Sequence, residues 1–373
     1  MAGQLVSIII PTMNRSDFLI RALNYYRSVG FKGYICIGDS SYGEHSRIIT
    51  DFIKEIGSDL NIIYKYYSNP PYYNDAICVK DLLELVVTPY AVESGDDDFL
   101  VPSALEKCAS FLQENPDYGS AHGLRVALRL EGDSVYGKAV QAHNCHQLAL
   151  SSPRACDRWS AYMRHPVSNL YSVHRIGALR NIYKHPASLN MRYIGTEITT
   201  VGLSVICGKV KEIDCLSTVF QVNRNNSLAN YSFYSYLMDP GWSEGAGNLK
   251  RIITAALKDA DGISQQKAQE IFDREFWRFI LNSLHWDYKT RYKDLPYENP
   301  FIKAAKKCLS KIPGFIRMAN YLIGKVLSHK NKNNLGSVKS LSLGELLNAR
   351  SEISRDFLKV YSIIQGKFRP GVK

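Results

Sequence analysis

Three adjacent carboxylates, Asp96, Asp97 and Asp98, stand in the stretch ESGDDDFLVP, directly after one short apolar run and directly before another. Neighbouring like charges repel and resist burial, so a folded chain keeps such a cluster either as a solvated turn or as a cation site. Carboxylate oxygens suit hard divalent ions such as Mg or Mn, and an ion held by only one or two carboxylates keeps positions open for substrate phosphates. Two further polar groups bear on that choice. Thr12, Asn14 and Arg15 follow the apolar run LVSIII and Pro11, and Asp39 follows YICIG. The Arg15 guanidinium is compatible with phosphate, or is a solvated residue at the start of a helix. A third set, His143, Cys145 and His146 in HNCHQ, has metal-ligand chemistry, but no second ligand pair at zinc-site spacing follows it.

The elements that must position these groups alternate. LVSIII (5–10), β-branched and bounded by Pro11, reads as a buried strand, and Ser16 can cap a helix over DFLIRALNYYRSV that Gly30 stops. A strand at 34–38, a helix over EHSRIITDFIKEI, a strand over LNIIYKYY, a helix over NDAICVKDLLELV and the short strand YAVES follow. Such alternation builds a parallel sheet with right-handed crossovers, and ligands bind beyond the carboxyl ends of its strands. The group at Pro11–Arg15, Asp39 and the acidic trio all fall at that edge.

From residue 103 the order changes: a helix ended by Pro116, a strand over YGSAHGLRVALRL, a turn in EGDSVYG, a strand and helix after His165, Pro166 and Asn169, a helix carrying Glu197, and a strand over KVKEIDCLSTVFQ. Beyond about residue 230 the pattern turns helical, near 246–259, 264–285, 301–327 and 343–364. The expected division is therefore 1–230, an α/β domain, and 231–373, a helical region. With 373 residues, 45% hydrophobic and 22% charged, the composition is that of a soluble globular protein. The N-terminal stretch lacks a basic n-region, no apolar run reaches the length of a membrane span, and the 8 cysteines are scattered without CxxC spacing, so a cytoplasmic location is expected.

VSIIIPTMNRSDFLIRALNYY, YICIGDSS, ESGDDDFLVPSAL, DYGSAHG and YIGTEITTVGLSVICGKVKEID occur in the order and approximate spacing of family 2 glycosyltransferases, and residues 4–227 resemble that family. The resemblance implies the GT-A (Rossmann-like) fold with a mixed, mainly parallel sheet. It implies a loop at Pro11, Thr12, Asn14 and Arg15 against the nucleotide of a nucleotide-sugar donor, and Asp39 at the base or ribose. Asp96, Asp97 and Asp98 match the DxD region that holds a divalent cation, Mn or Mg, against the donor diphosphate. Asp97 and Asp98 are the expected ligands and Asp96 an assisting group. Glu197, in GTE, matches the position of the catalytic base, normally Asp, of an inverting transfer. Two departures stand out. Gly95 occupies the first acid position of the usual D-x-D-D run, and Asn223 stands where many relatives carry a metal-completing histidine.

The expected reaction is transfer of a sugar to a glycan or lipid-linked acceptor. Two rivals remain: a catalytically silent GT-A-like binding subunit, and a nucleotidyltransferase, against which the first strand runs into Pro-Thr-Met-Asn rather than a glycine-rich phosphate loop. The tyrosines of YKYYSNPPYYND (64–75) stack on ligand rings or pack the loop, and packing is the expectation; His165 and His174 are expected to be structural. Much of the net charge of +11 belongs to 299–340, which has no Asp or Glu and carries Lys303, Lys306, Lys307, Lys311, Arg317, Lys325, Lys330, Lys332 and Lys339. This basic amphipathic segment suits an anionic membrane surface at the inner face, or packs on the domain or on a second copy in a homo-oligomer. Nucleic acid is not an expected partner, because the segment lacks a recognisable nucleic-acid-binding module.

Overall fold

The computed structural model describes residues 5–68, 75–132, 134–145, 147–185, 193–222, 232–291 and 341–366. The first half is built from β1 (Val6–Thr12), α1 (Ser16–Ser28), β2 (Tyr34–Asp39), α2 (Gly43–Ile56), β3 (Asn61–Tyr66), α3 (Asp75–Leu83) and β4 (Tyr90–Glu93). Then come β5 (Asp98–Leu100), α4 (Pro102–Glu114), β6 (Tyr118–Leu130), β7 (Ala139–Cys145), α5 (Ala155–Arg164), β8 (Val173–Arg175) and α6 (Ile176–Lys184). A π-helical turn, Tyr193–Thr199, leads into α7 (Thr200–Cys207) and β9 (Lys209–Gln221). The helical region contributes α8 (Phe233–Leu237), α9 (Trp242–Asp261), α10 (Gln265–Arg291), α11 (Leu343–Leu346) and α12 (Glu352–Ile364).

The nine described strands share one mixed sheet in the order β3-β2-β1-β4-β8-β6-β9-β5, with β7 paired to β6. Pairing is parallel through β3, β2, β1 and β4 and between β6 and β9, and antiparallel at β4/β8, β8/β6, β6/β7 and β9/β5. The continuous apolar run of β1 follows from burial on both faces. Ile8 and Ile10 pack in one layer with α1, and Ile9 packs in the opposite layer with α3 and α6.

The expected α/β order is present, with local differences. Ser16 is the first residue of α1 and makes no cap hydrogen bond; its hydroxyl is 2.8 Å from His45 Nδ1, and Arg15 stands at the cap position. α3 stops at Leu83, three residues short of the expected Val86, and the Arg180 guanidinium donates to the Leu83 and Val86 carbonyls freed there. The acidic run is only partly a turn: Asp98 opens β5 and is paired with Phe220 of β9. His143 and Cys145 lie at the end of β7, paired with Ala127 and Arg125 of β6. The expected helix at 343–364 is broken in two, with Ala349 at φ 55° and Ser351 capping α12. The segment at 301–327 lies outside the described residues.

The helical region packs on both faces of the sheet layer. α9 and α10 meet α5 and α7 through Trp159, whose ring stacks on Phe272 at 5.9 Å, and α8 joins through Phe233 against Phe279 at 5.3 Å. α12 lies over α1 and β9, burying Phe357, Val360, Tyr361 and Ile364 in the layer that holds Ile8 and Ile10. Residues on either side of position 230 thus share one apolar cluster.

Candidate functional site

The strand-end edge gathers the groups picked out from the sequence. β1 delivers Thr12, whose hydroxyl donates to Asp96 Oδ2 at 2.8 Å. Arg15, one turn of chain further on, bridges two of the three acids: its guanidinium is 2.8 Å from Asp96 Oδ1 and 2.6 Å from Asp97 Oδ2. A bridging guanidinium of this kind answers much of the repulsion that three adjacent carboxylates create. Pro11 is half-buried and pairs with Gly38 in the ladder. Asn14, at φ 56°, ties the β1 loop to the β2 loop: its amide donates to Ser41 Oγ at 2.8 Å and its side chain accepts from the Tyr42 amide at 2.9 Å.

Asp39 is fully buried, and its carboxylate accepts from the Ser41 amide at 2.8 Å and from the Tyr64 hydroxyl at 2.7 Å. It therefore shapes the β2 loop from below. Of the tyrosine-rich stretch, Tyr64 makes this contact and Tyr67 is buried in the core, while Tyr72 and Tyr73 lie outside the described residues.

Asp96 and Asp98 are 4% and 5% exposed. Burial is the largest influence on both. It drives Asp96 up to about 7, with the Arg15 guanidinium pulling it down and Asp97 pushing it further up. Asp98 is raised in the same way by burial and then by Asp97, against a hydrogen bond from the Tyr171 hydroxyl and the charge of Arg125. The cluster is thus short of positive charge, even with Arg15 in place.

Asp97 Oδ1 and Asp98 Oδ2 both face the bare Cα of Gly95: a Cβ placed there would lie 3.0 and 2.9 Å from them. Two carboxylate oxygens flanking one small space suit a hard divalent ion that takes its remaining ligands from water or substrate. Among the described residues, no group of three or more His, Cys, Asp or Glu side chains is arranged to hold a metal. That includes His143 and Cys145; His146 lies outside them. Asn223 and Arg224 also lie outside the described residues.

Behind the acids stands a residue that the sequence reading passed over. Arg21, in the middle of α1, is fully buried between the rings of Phe18 and Phe99, at 5.0 and 4.9 Å. It donates to the Asp97 carbonyl at 2.8 Å, to Gln221 Oε1 at 2.6 Å and to the Val135 carbonyl. Burial lowers it to about 10, still charged at neutral pH. No local pattern singles it out, because α1 also carries Asp17, Asn24 and Arg27.

Glu197 lies in the π-helical turn. That wide turn is held by Thr199 Oγ1 donating to the Ile194 carbonyl at 2.6 Å and Thr200 Oγ1 donating to the Gly195 carbonyl at 2.9 Å. Glu197 lines a cavity of about 530 Å³ whose walls include Arg164, Tyr236, Asn282, Trp286 and Asp287. Asp96, Asp97 and Asp98 are not among its lining residues. His174 is buried and meets the Asn169 carbonyl at 3.1 Å through Nε2, a structural histidine, whereas His165 is exposed at the end of α5. No described helix is long and apolar enough to cross a membrane.

No protein-family model matches the chain. Nor does any curated protein. Among solved structures, it is similar to the crystal structure of S. aureus TarS 1–349, at 14% identity over 97% of this chain and 91% of that one, with a TM-score of 0.48. The same TarS fragment in complex with UDP-GlcNAc aligns at 14% identity, covering 97% and 92% of the two chains, with a TM-score of 0.46. The mannosyltransferase PcManGT from Pyrobaculum calidifontis, in complex with GDP-Man and Mn2+, aligns at 12% identity over 88% and 86%, with a TM-score of 0.45. These scores assign no residue role to the chain.

Proposed function

We propose that this chain is an inverting glycosyltransferase that moves a sugar from a nucleotide-sugar donor to a glycan or lipid-linked acceptor. The observation that carries the proposal is the gathering of Thr12, Arg15, Asp96, Asp97 and Asp98 at the carboxyl edge of the parallel strands, zipped to the β2 loop through Asn14. Parallel α/β sheets bind ligands at that edge. The order of motifs along the chain, which resembles family 2 glycosyltransferases, agrees with this placement.

In this reading, residues 1–230 bind the donor. The Pro11–Arg15 loop and the β2 loop, which Asp39 holds in place through the Ser41 amide, receive the nucleotide. Asp97 and Asp98 would hold Mn or Mg, with Asp96 and Arg15 adjusting their charge; when bound there, the cation would supply positive charge against the leaving diphosphate. Glu197 takes the proton of the acceptor hydroxyl while its oxygen bonds to the anomeric carbon, and the bond to the diphosphate breaks with its electron pair leaving on phosphate.

The cavity beside Glu197 suits a glycan acceptor: Trp286 and Tyr236 offer ring faces, and Asn282 and Asp287 offer hydrogen-bonding groups. Peripheral association of the basic segment 299–340 with the inner face of a membrane would bring such an enzyme to a lipid-linked acceptor.

The test is calorimetric titration of UDP and GDP, each with and without Mn or Mg, followed by donor hydrolysis. Binding of one nucleoside diphosphate, strengthened by the metal and abolished by Asp97→Asn, is the expected result. Absence of binding under every condition would remove the glycosyltransferase reading, and binding without any turnover would leave the silent binding subunit in its place.

A further inference from the structure

Arg125 lies in β6 opposite Thr218 of β9 and Cys145 of β7. Its guanidinium is held between two rings, 4.4 Å from the centroid of Tyr171 and 4.8 Å from that of Phe220. Rings on two sides fix the plane of a guanidinium without using its N–H donors. The Nε donor is buried and has no hydrogen-bond partner among the described residues. Folded chains rarely leave a buried donor unmet, and such a group calls for an explanation.

The sheet register gives one. Asp98 of β5 pairs with Phe220 of β9, and Phe220 pairs with Ala127, two residues along β6 from Arg125. Paired residues and residues two apart share a face, so Asp98, Phe220 and Arg125 project to the same side of the sheet. Tyr171 joins them, its hydroxyl bonded to Asp98 and its ring on Arg125.

The three arginines around the acids are engaged in different ways. Arg15 is bonded to Asp96 and Asp97. Arg21 donates to two carbonyls and to Gln221. Arg125 is held between two rings on the Asp98 side of the cluster and, among the described residues, makes no side-chain hydrogen bond, which leaves its fork of donors for something else. A flat, rigid pair of parallel N–H groups beside a carboxylate cluster matches a bidentate oxyanion, and the oxyanion that belongs beside such a cluster is a phosphate sharing it with a cation.

We propose that Arg125 is a donor-binding residue that takes the diphosphate of the nucleotide-sugar through its guanidinium fork, oriented by Tyr171 and Phe220. The proposal rests on the glycosyltransferase reading above and adds to it a residue that the motifs do not contain. It also gives the two aromatic residues a role: they hold the fork still before the donor arrives.

The experiment titrates UDP, GDP, uridine and guanosine into the full chain with Mn, for the wild type, Arg125→Gln and Arg125→Lys, with thermal unfolding of each. The expected result is a loss of at least tenfold in diphosphate affinity for Arg125→Gln, an intermediate loss for Arg125→Lys, and unchanged nucleoside affinity in both. Undiminished diphosphate affinity in a folded Arg125→Gln chain overturns the proposal. A parallel fall in nucleoside affinity overturns it too, because the arginine would then act through the fold. Should Arg125→Gln not fold, Arg125→Lys decides: it keeps the charge but not the fork, and an unchanged diphosphate affinity rejects the proposal. A wild type that binds no nucleoside diphosphate would instead bring down the glycosyltransferase reading, a result distinct from either failure of Arg125.

Discussion

Arg21 and Gln221 meet at 2.6 Å although 200 positions of sequence separate them. The same guanidinium holds the Asp97 carbonyl, so the acidic turn, the 134–136 turn and the end of β9 are tied to one buried charge in α1.

Replacing Arg21 by Met leaves the Asp97 and Val135 carbonyls and Gln221 Oε1 without their donor in a dry site. The expected cost is about 3 kcal/mol or more of stability, with Arg21→Lys in between. Urea unfolding measures it; a cost within about 0.5 kcal/mol, typical of a surface change, would show that the clamp carries no weight.

Gly95→Asp adds a fourth acid beside the trio, yet its Cβ would lie 2.9 Å from Asp98 Oδ2 and 3.0 Å from Asp97 Oδ1. Because Asp97 and Asp98 must move aside, the variant is expected to bind Mn more weakly than the wild type, by roughly tenfold or about 1.4 kcal/mol. Electron paramagnetic resonance of free Mn reads this directly, and tighter binding by the variant would place the cation elsewhere.

Glu197→Gln keeps the size of the side chain and removes the carboxylate proposed as the base. Turnover is expected to fall roughly 10²–10⁴-fold with donor affinity unchanged. Unchanged turnover in single-turnover assays would take Glu197 out of the reaction.

Trp286→Ala removes a ring from the Glu197 cavity while leaving the acidic cluster untouched. The acceptor KM is expected to rise roughly tenfold, and donor hydrolysis without acceptor to stay as it was. An unaltered acceptor KM would direct the search for the acceptor to another surface.

His174 is fully buried, and that burial, the largest influence on it, drives it down to about 4. The unfolded chain titrates it near 6.5, so between about pH 6.5 and 4 the unfolded state binds a proton that the folded state refuses. The stability linked to neutral His174 is complete above that window and is lost as pH falls through it. The loss is on the order of 3 kcal/mol. His174→Gln keeps a donor for the Asn169 carbonyl and removes the titration. Chemical denaturation from pH 7 to 4 should therefore show the wild type losing this much relative to the variant, and parallel curves would assign the acid sensitivity to other groups.

Much of this protein is legible in its sequence, for a local reason. The alternation of β-branched apolar runs with helical periodicity over the first hundred residues sets strand against helix through contacts within each element and its neighbours. Strand ends then follow, and with them the shared edge of Thr12, Asn14, Arg15, Asp39 and the acidic trio. The apolar stripe of α10 is equally local, whereas the pattern over 343–364 reads as one helix and does not reveal the cap at Ser351.

What tertiary structure alone decided involves partners distant in the chain. β5 is three residues long and exists because β9, over a hundred residues later, pairs with it; that pairing turns Asp98 from a turn residue into a buried strand residue facing Arg125. Arg21 reads as one more helix-surface charge until the sheet closes over it. Gly95 reads as a missing acid, and only the convergence of Asp97 and Asp98 on its Cα gives a reason for its lack of a side chain. A sequence fixes which residues carry charge, but the sign and strength of their coupling depend on distances and burial that no local pattern contains.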